Sequence, residues 1–102
     1  MKYRIIDGPS GPTLVLSDQL LFDHRDLFEG AIDKVLARQP TTVVVDMAGL
    51  DYMDSAGLGM LLTLRDRATQ AGALVCLRNP GVDVAELLRL ACFDSLFAIE
   101  QA

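Results

Sequence analysis

Residues 41–47, TTVVVDM, restrict the fold more than any other stretch, because they form a continuous β-branched run. Such a run is typical of a central strand in a sheet that is covered on both faces. Helix-type patterns precede and follow it. We therefore predict an α/β protein in which this strand is buried on both faces.

The segment before this strand has the spacing of a helix. From Asp23 to about Arg38, apolar residues recur at helical intervals, and Pro40 follows the end. Asp23 is a good N-cap residue, with an acidic residue three positions on. We expect Phe22 and Phe28 to belong to the core.

A second helix is predicted to begin at Ser55. One stripe of this helix should face the core, and its members are Gly57, Leu61, Leu64, Ala68 and Ala71. Three apolar residues lie off that stripe and are predicted to be exposed: Tyr52, Leu58 and Met60.

The remaining segments complete a small mixed sheet. YRIID and PTLVLS flank the turn signal GPSGP and predict a hairpin, and ALVCLRN predicts another strand. A short helix over VDVAELLRLA, a turn over FDSLF and a possible edge strand at AIEQ follow. The predicted order is β-β-α-β-α-β-α-β, with the helices packed against the sheet, in one domain over residues 1–102.

Bulk properties exclude several classes of function. The net charge is −5, so the basic face that nucleic-acid binding requires is missing. The apolar runs are too short to cross a bilayer, and the first residues have no signal-peptide pattern. A single histidine does not support a His-rich metal site. We expect a cytoplasmic protein without metal or cofactor that neither binds nucleic acid nor inserts into a membrane.

The stretch DYMDSAGLGMLL, residues 51–62, raises the question of what Ser55 does. A serine nucleophile needs a base, yet the only histidine is His24 and no G-x-S-x-G elbow is present. A phosphoacceptor site at Asp46 would need an acidic metal pair and a late lysine, but lysine occurs only at positions 2 and 34. We therefore expect no enzymatic activity.

Two glycines follow Ser55 in the predicted first turn of the helix. A serine or aspartate there can cap the helix, but capping does not explain Gly57 and Gly59, each of which costs about 1 kcal/mol relative to alanine. Their presence suggests that something approaches the backbone closely. The candidates are a neighbouring strand, a partner protein or a phosphate.

The segment MDSAGLG resembles the D-S-x-G-[LI]-G signature of STAS domains, which include bacterial anti-sigma factor antagonists and the cytoplasmic tails of sulphate transporters. The resemblance covers roughly residues 12–99. It implies that Ser55 is the phosphorylated serine, and Ala56 leaves it as the only acceptor in the motif. The implied partner-binding residues are Asp23, His24, Tyr52, Asp54, Ser55, Ala56, Gly57, Leu58 and Met60.

The resemblance also implies a partner switch. The unmodified domain would bind an anti-sigma factor that is a serine kinase and so free a sigma factor, and phosphorylation would release it until a serine phosphatase resets it. Ser17 and Asp18 depart from the family's usual G-E pair, which puts partner identity in doubt. The alternative is a constitutive adaptor, such as the STAS subunit of a lipid-transport ATP-binding-cassette system.

Overall fold

The computed structural model describes residues 1–101, and its helices and strands alternate in the predicted order. The strands are β1 (Lys2–Gly8), β2 (Gly11–Leu20), β3 (Thr42–Met53), β4 (Leu74–Arg78) and β5 (Ala98–Glu100). The helices are α1 (Arg25–Leu36), α2 (Ser55–Gln70) and α3 (Val82–Leu90), with 3-10 turns at Phe22–His24 and Phe93–Ser95.

The five strands form one sheet in the order β1-β2-β3-β4-β5. The predicted hairpin is present, with β1 antiparallel to β2 and Gly8 opposite Gly11, whereas the other neighbouring pairs are parallel. Because Leu20 pairs with Met53, β2 and β3 end side by side. The starts of α1, α2 and α3 therefore follow the same edge of the sheet, where ligands bind in many α/β proteins.

The core lies between the three helices and one face of the sheet. Along β3 the buried residues alternate with half-buried ones, so Val43 and Val45 are buried while Val44 is not. The prediction that β3 is covered on both faces is therefore wrong. A β-branched run also suits a strand with one open face, because its propensity reflects fit to a pleated surface.

Strand β3 continues six residues beyond the predicted end at Met47. In this extension β3 lies close to β2, and glycine at position 49 suits the close approach, because a Cβ on Gly49 would lie only 3.2 Å from the Ser17 Cβ. The pairing shifts register between Val15 and Ser17. Because β3 extends to Met53, Tyr52 and Met53 are strand residues, and they point to opposite faces of the sheet.

Candidate functional site

Helix α2 begins at Ser55, as predicted, but its N-cap is Asp54. The Asp54 Oδ1 accepts a hydrogen bond of 2.9 Å from the Gly57 backbone N–H. Ser55 is the first helical residue and is exposed, and its hydroxyl has no hydrogen-bond partner within residues 1–101. The hydroxyl is thus accessible and is not the cap.

Asp54 also joins α2 to the segment before α1. Its Oδ2 accepts a hydrogen bond of 3.2 Å from the Phe22 backbone N–H. The hydrogen bond from Gly57 lowers the pKa of the Asp54 carboxyl, the bond from Phe22 lowers it further, and partial desolvation opposes both. One carboxylate therefore holds two backbone segments together at the edge of the sheet.

Gly57 is explained by packing inside the molecule. A Cβ at this position would lie 2.6 Å from the Leu20 carbonyl oxygen and 2.9 Å from the Met53 Cβ. The neighbouring strands thus approach the helix backbone, which was one of the three candidates. Gly57 is buried, as expected for a member of the core stripe, and its role in partner binding stays a prediction.

The segment before α1 differs from the prediction. Asp23 is exposed and caps no helix, because residues 22–24 form a 3-10 turn before α1 begins. The turn is closed by His24, whose Nδ1 accepts a hydrogen bond of 3.0 Å from the Leu21 N–H. Its Nε2 lies 2.9 Å from the N-terminal nitrogen of Met1, so both ring nitrogens are engaged.

Phe22 is the clearest departure from the predicted core. It is 63% exposed, whereas Phe28 is fully buried as expected. Because the Phe22 backbone is tied to Asp54, its ring stays beside the start of α2. Sequence spacing did not reveal this, since the 3-10 turn rotates Phe22 out of register with the helix.

The other predicted contact residues differ in how far they are buried. Tyr52 is 53% exposed. Leu58 and Ala56 are half-buried, with Leu58 packed against the core. Met60 is only 6% exposed, so its predicted exposure was wrong, and it lies in the core like Leu61, its neighbour in the helix. Ala71, at the end of the predicted core stripe, is exposed.

A groove of about 230 Å³ runs between α1 and α2. Phe22 and Phe28 line it from one side, and Ala56, Gly59 and Met60 line it from the other. A Cβ built on Gly59 would meet nothing within 4 Å, so no contact in the described part of the chain requires glycine there. On its rim Arg25 pairs with Glu29 at 3.6 Å, which leaves this groove mainly apolar and close to neutral.

A second groove, of about 560 Å³, lies between the start of α2 and α3. Its apolar lining comes from both sides: Tyr52, Met53, Val84, Leu87 and Leu90. Ser55 and four acidic residues complete it: Asp51, Asp54, Asp83 and Glu86. Ser55 therefore stands in the wall of this α2–α3 groove, while the next residue, Ala56, lines the α1–α2 groove.

The four carboxylates of the α2–α3 groove are not grouped as metal ligands. Within residues 1–101 no three histidine, cysteine or acidic side chains are placed to hold a metal ion. In the same part of the chain no helix combines the length and hydropathy needed to cross a membrane. The site presents an accessible hydroxyl beside two concave, partly apolar surfaces, and exposed apolar surface of this kind is typical of sites that bind other molecules.

The family follows from comparison with known proteins. A family model described as STAS domain matches residues 3–102, and the chain belongs to this family. A STAS-domain containing protein of Pseudomonas aeruginosa (strain UCBPP-PA14) is 36% identical over 102 residues, covering 97% of this chain and 99% of that protein.

Solved structures share the fold. The anti-sigma factor antagonist SpoIIAA in its unphosphorylated form superposes with a TM-score of 0.74 at 16% identity, covering 99% of this chain and 89% of that chain. A sulfate transporter family protein of Wolinella succinogenes superposes with a TM-score of 0.78 at 13% identity, covering 93% and 80%. The mixed α/β fold is thus the STAS fold, and its neighbours include both antagonists and a transporter protein.

Proposed function

We propose that this STAS domain is an anti-sigma factor antagonist whose binding is controlled by phosphorylation of Ser55. The observation that supports it is the accessible Ser55 hydroxyl, placed at the first helical residue between two grooves. The partners are an anti-sigma factor with serine-kinase activity and a serine phosphatase, in the cytoplasm. Nucleic acid is not a partner.

The α1–α2 groove is the proposed docking site for the kinase. Exposed Phe22 supplies an aromatic anchor, and Gly59 leaves room for a partner side chain. The contact surface also takes in Ala56 of α2 and, from the neighbouring 3-10 turn, Asp23 and His24, because the bond between Asp54 and the Phe22 N–H holds that turn beside α2.

A phosphate on Ser55 would leave the fold intact. It adds about 1.5 to 2 negative charges, which the positive end of α2 tolerates. Next to Asp51 and Asp54 it makes the area more acidic. Phosphorylation destabilises the complex with the kinase, because the hydrated phosphate must lose water when the kinase covers it.

The test is titration of the purified kinase against variants by calorimetry, with ATP labelling in parallel. We expect one phosphate, on the peptide that contains DSAGLG. Ser55→Ala should keep affinity and melt close to the parent, because the hydroxyl is exposed and caps nothing. Ser55→Asp should lose at least about tenfold, or about 1.4 kcal/mol.

Ser10→Asp is the matched control, since Ser10 is also exposed but lies in the turn between β1 and β2. Loss of affinity in both aspartate variants would indicate a general charge effect. Equal affinity of Ser55→Ala and Ser55→Asp, with no phosphate detected by mass spectrometry, would contradict the switch.

That result would favour a constitutive adaptor, in which the same surface holds a transporter subunit and Ser55 is unmodified. The structural likeness to the sulfate transporter family protein is the observation in favour of this second function. A kinase-independent complex with an ATPase or permease subunit would support it.

A further inference from the structure

The α2–α3 groove combines exposed apolar surface with one sign of charge. Leu90 is 66% exposed and Tyr52 is 53% exposed, and both line it. Its charged lining residues are all acidic: Asp51, Asp54, Asp83 and Glu86. Arg89 pairs with Glu86 at 3.0 Å from outside the lining, whereas Asp51 and Asp83 have no ion-pair partner within residues 1–101.

We infer that this groove binds a cationic amphipathic helix of a partner protein. Apolar side chains would enter between Tyr52 and Leu90, and flanking lysine or arginine side chains would face Asp51 and Asp83. The acidic lining and the net charge of −5 disfavour an anionic membrane surface or nucleic acid as the occupant. The exposed apolar residues distinguish the groove from an ordinary acidic surface.

Ser55 lies in the wall of this groove, so phosphorylation adds negative charge where the cationic helix docks. The modification would strengthen this interaction while it weakens kinase docking over the α1–α2 groove. Phosphorylation of Ser55 would thus change the affinities of the two grooves in opposite directions, and the cationic partner would bind the phosphorylated form preferentially. This regulatory step rests on the proposed function, whereas binding of the cationic helix does not.

The test uses the full chain and two fluorescent synthetic helical peptides. One carries leucine and lysine at helical spacing, and the other replaces every lysine with glutamate. Anisotropy titrations at low salt should show that the lysine peptide binds at least about tenfold more tightly. Leu90→Ser should weaken its binding at least about fivefold, and Asp83→Asn about two- to threefold.

Matched controls separate groove binding from general attraction to an acidic protein. Leu74→Ser removes a leucine of similar exposure, 74% against 66% for Leu90, from β4, outside the groove. Asp26→Asn removes an aspartate from the first turn of α1, as Asp83→Asn does from α3. Both controls should bind like the parent, and Ser55→Asp should bind about twofold more tightly.

Three results would overturn the inference: equal binding of the two peptides, an unchanged affinity of Leu90→Ser, or an equal loss in Asp26→Asn and Asp83→Asn. If Ser55→Asp binds the lysine peptide more weakly than the parent does, the proposed regulation of this groove by phosphorylation is wrong. If the lysine peptide binds as expected but the kinase adds no phosphate, the proposed function is wrong and the inference that the groove binds a cationic helix is supported. If Ser55 is phosphorylated but the peptide does not bind, only the inference about the groove is wrong.

Discussion

At the scale of single residues, Asp54 contributes more to the site than the serine beside it. Its two carboxylate oxygens accept hydrogen bonds from the backbones of Gly57 and Phe22. The Ser55 hydroxyl, by contrast, makes no hydrogen bond within residues 1–101. The motif therefore combines a structural aspartate with an accessible serine, and their roles can be separated by mutation.

Asp54 gives the domain a pH-dependent contribution to stability. The hydrogen bonds from Gly57 and Phe22 place its folded-state pKa below the ordinary value of 3.8. The contribution is therefore complete above that value and is lost as pH falls through the lower, folded-state pKa. Asp54→Asn should melt below the parent at neutral pH, and the difference should shrink in acid.

Melting temperatures measured by circular dichroism across this acid range check the prediction. Asp51→Asn, a neighbouring aspartate that is exposed and lies in β3, is the control and should follow the parent. A constant difference between parent and Asp54→Asn at all pH values would show that the Asp54 charge does not matter.

At the scale of elements, the two glycines of α2 have different roles although they are two residues apart. Gly57 lets the helix pack against the ends of β2 and β3, because a side chain there would meet the Leu20 carbonyl. Gly59 faces the open α1–α2 groove. Only the first is required by the fold itself.

Alanine at each position should separate these roles. Gly57→Ala forces a Cβ to 2.6 Å from the Leu20 carbonyl oxygen and should destabilise the domain by about 1 to 3 kcal/mol. Gly59→Ala meets no neighbour and should stabilise it by up to about 1 kcal/mol, through helix propensity. Urea unfolding measures both.

The more stable Gly59→Ala should nevertheless bind the kinase less tightly, because its methyl group enters the α1–α2 groove. Unchanged affinity would mean that the kinase does not use this groove. Equal unfolding free energies of the two variants would contradict the packing role of Gly57.

At the scale of the whole molecule, the parallel arrangement of β2, β3 and β4 brings three helix starts to one edge of the sheet. That edge holds both grooves and Ser55. His24 is the single histidine, and both of its ring nitrogens are engaged, one by the Leu21 N–H and one by the N-terminal nitrogen of Met1. The edge has the features of a binding surface.

We therefore predict that the purified domain hydrolyses no ester, peptide or nucleotide. Ser55→Ala provides the control in each assay, and any trace activity should be equal in both proteins because it comes from contaminants. An activity that follows the domain through purification and disappears in Ser55→Ala would refute the role as a binding module.

The sequence by itself determined the order of helices and strands, the start of α2 and the family, because periodicity, turn residues and the D-S-x-G motif are local signals. It also singled out Ser55 and indicated a close approach at Gly57. Only the tertiary structure decided which side chains are exposed. Phe22 is exposed because a 3-10 turn displaces it, and Met60 is buried because it packs in the core at the floor of the α1–α2 groove. The α2–α3 groove likewise depends on packing between segments distant in sequence, which no local pattern encodes.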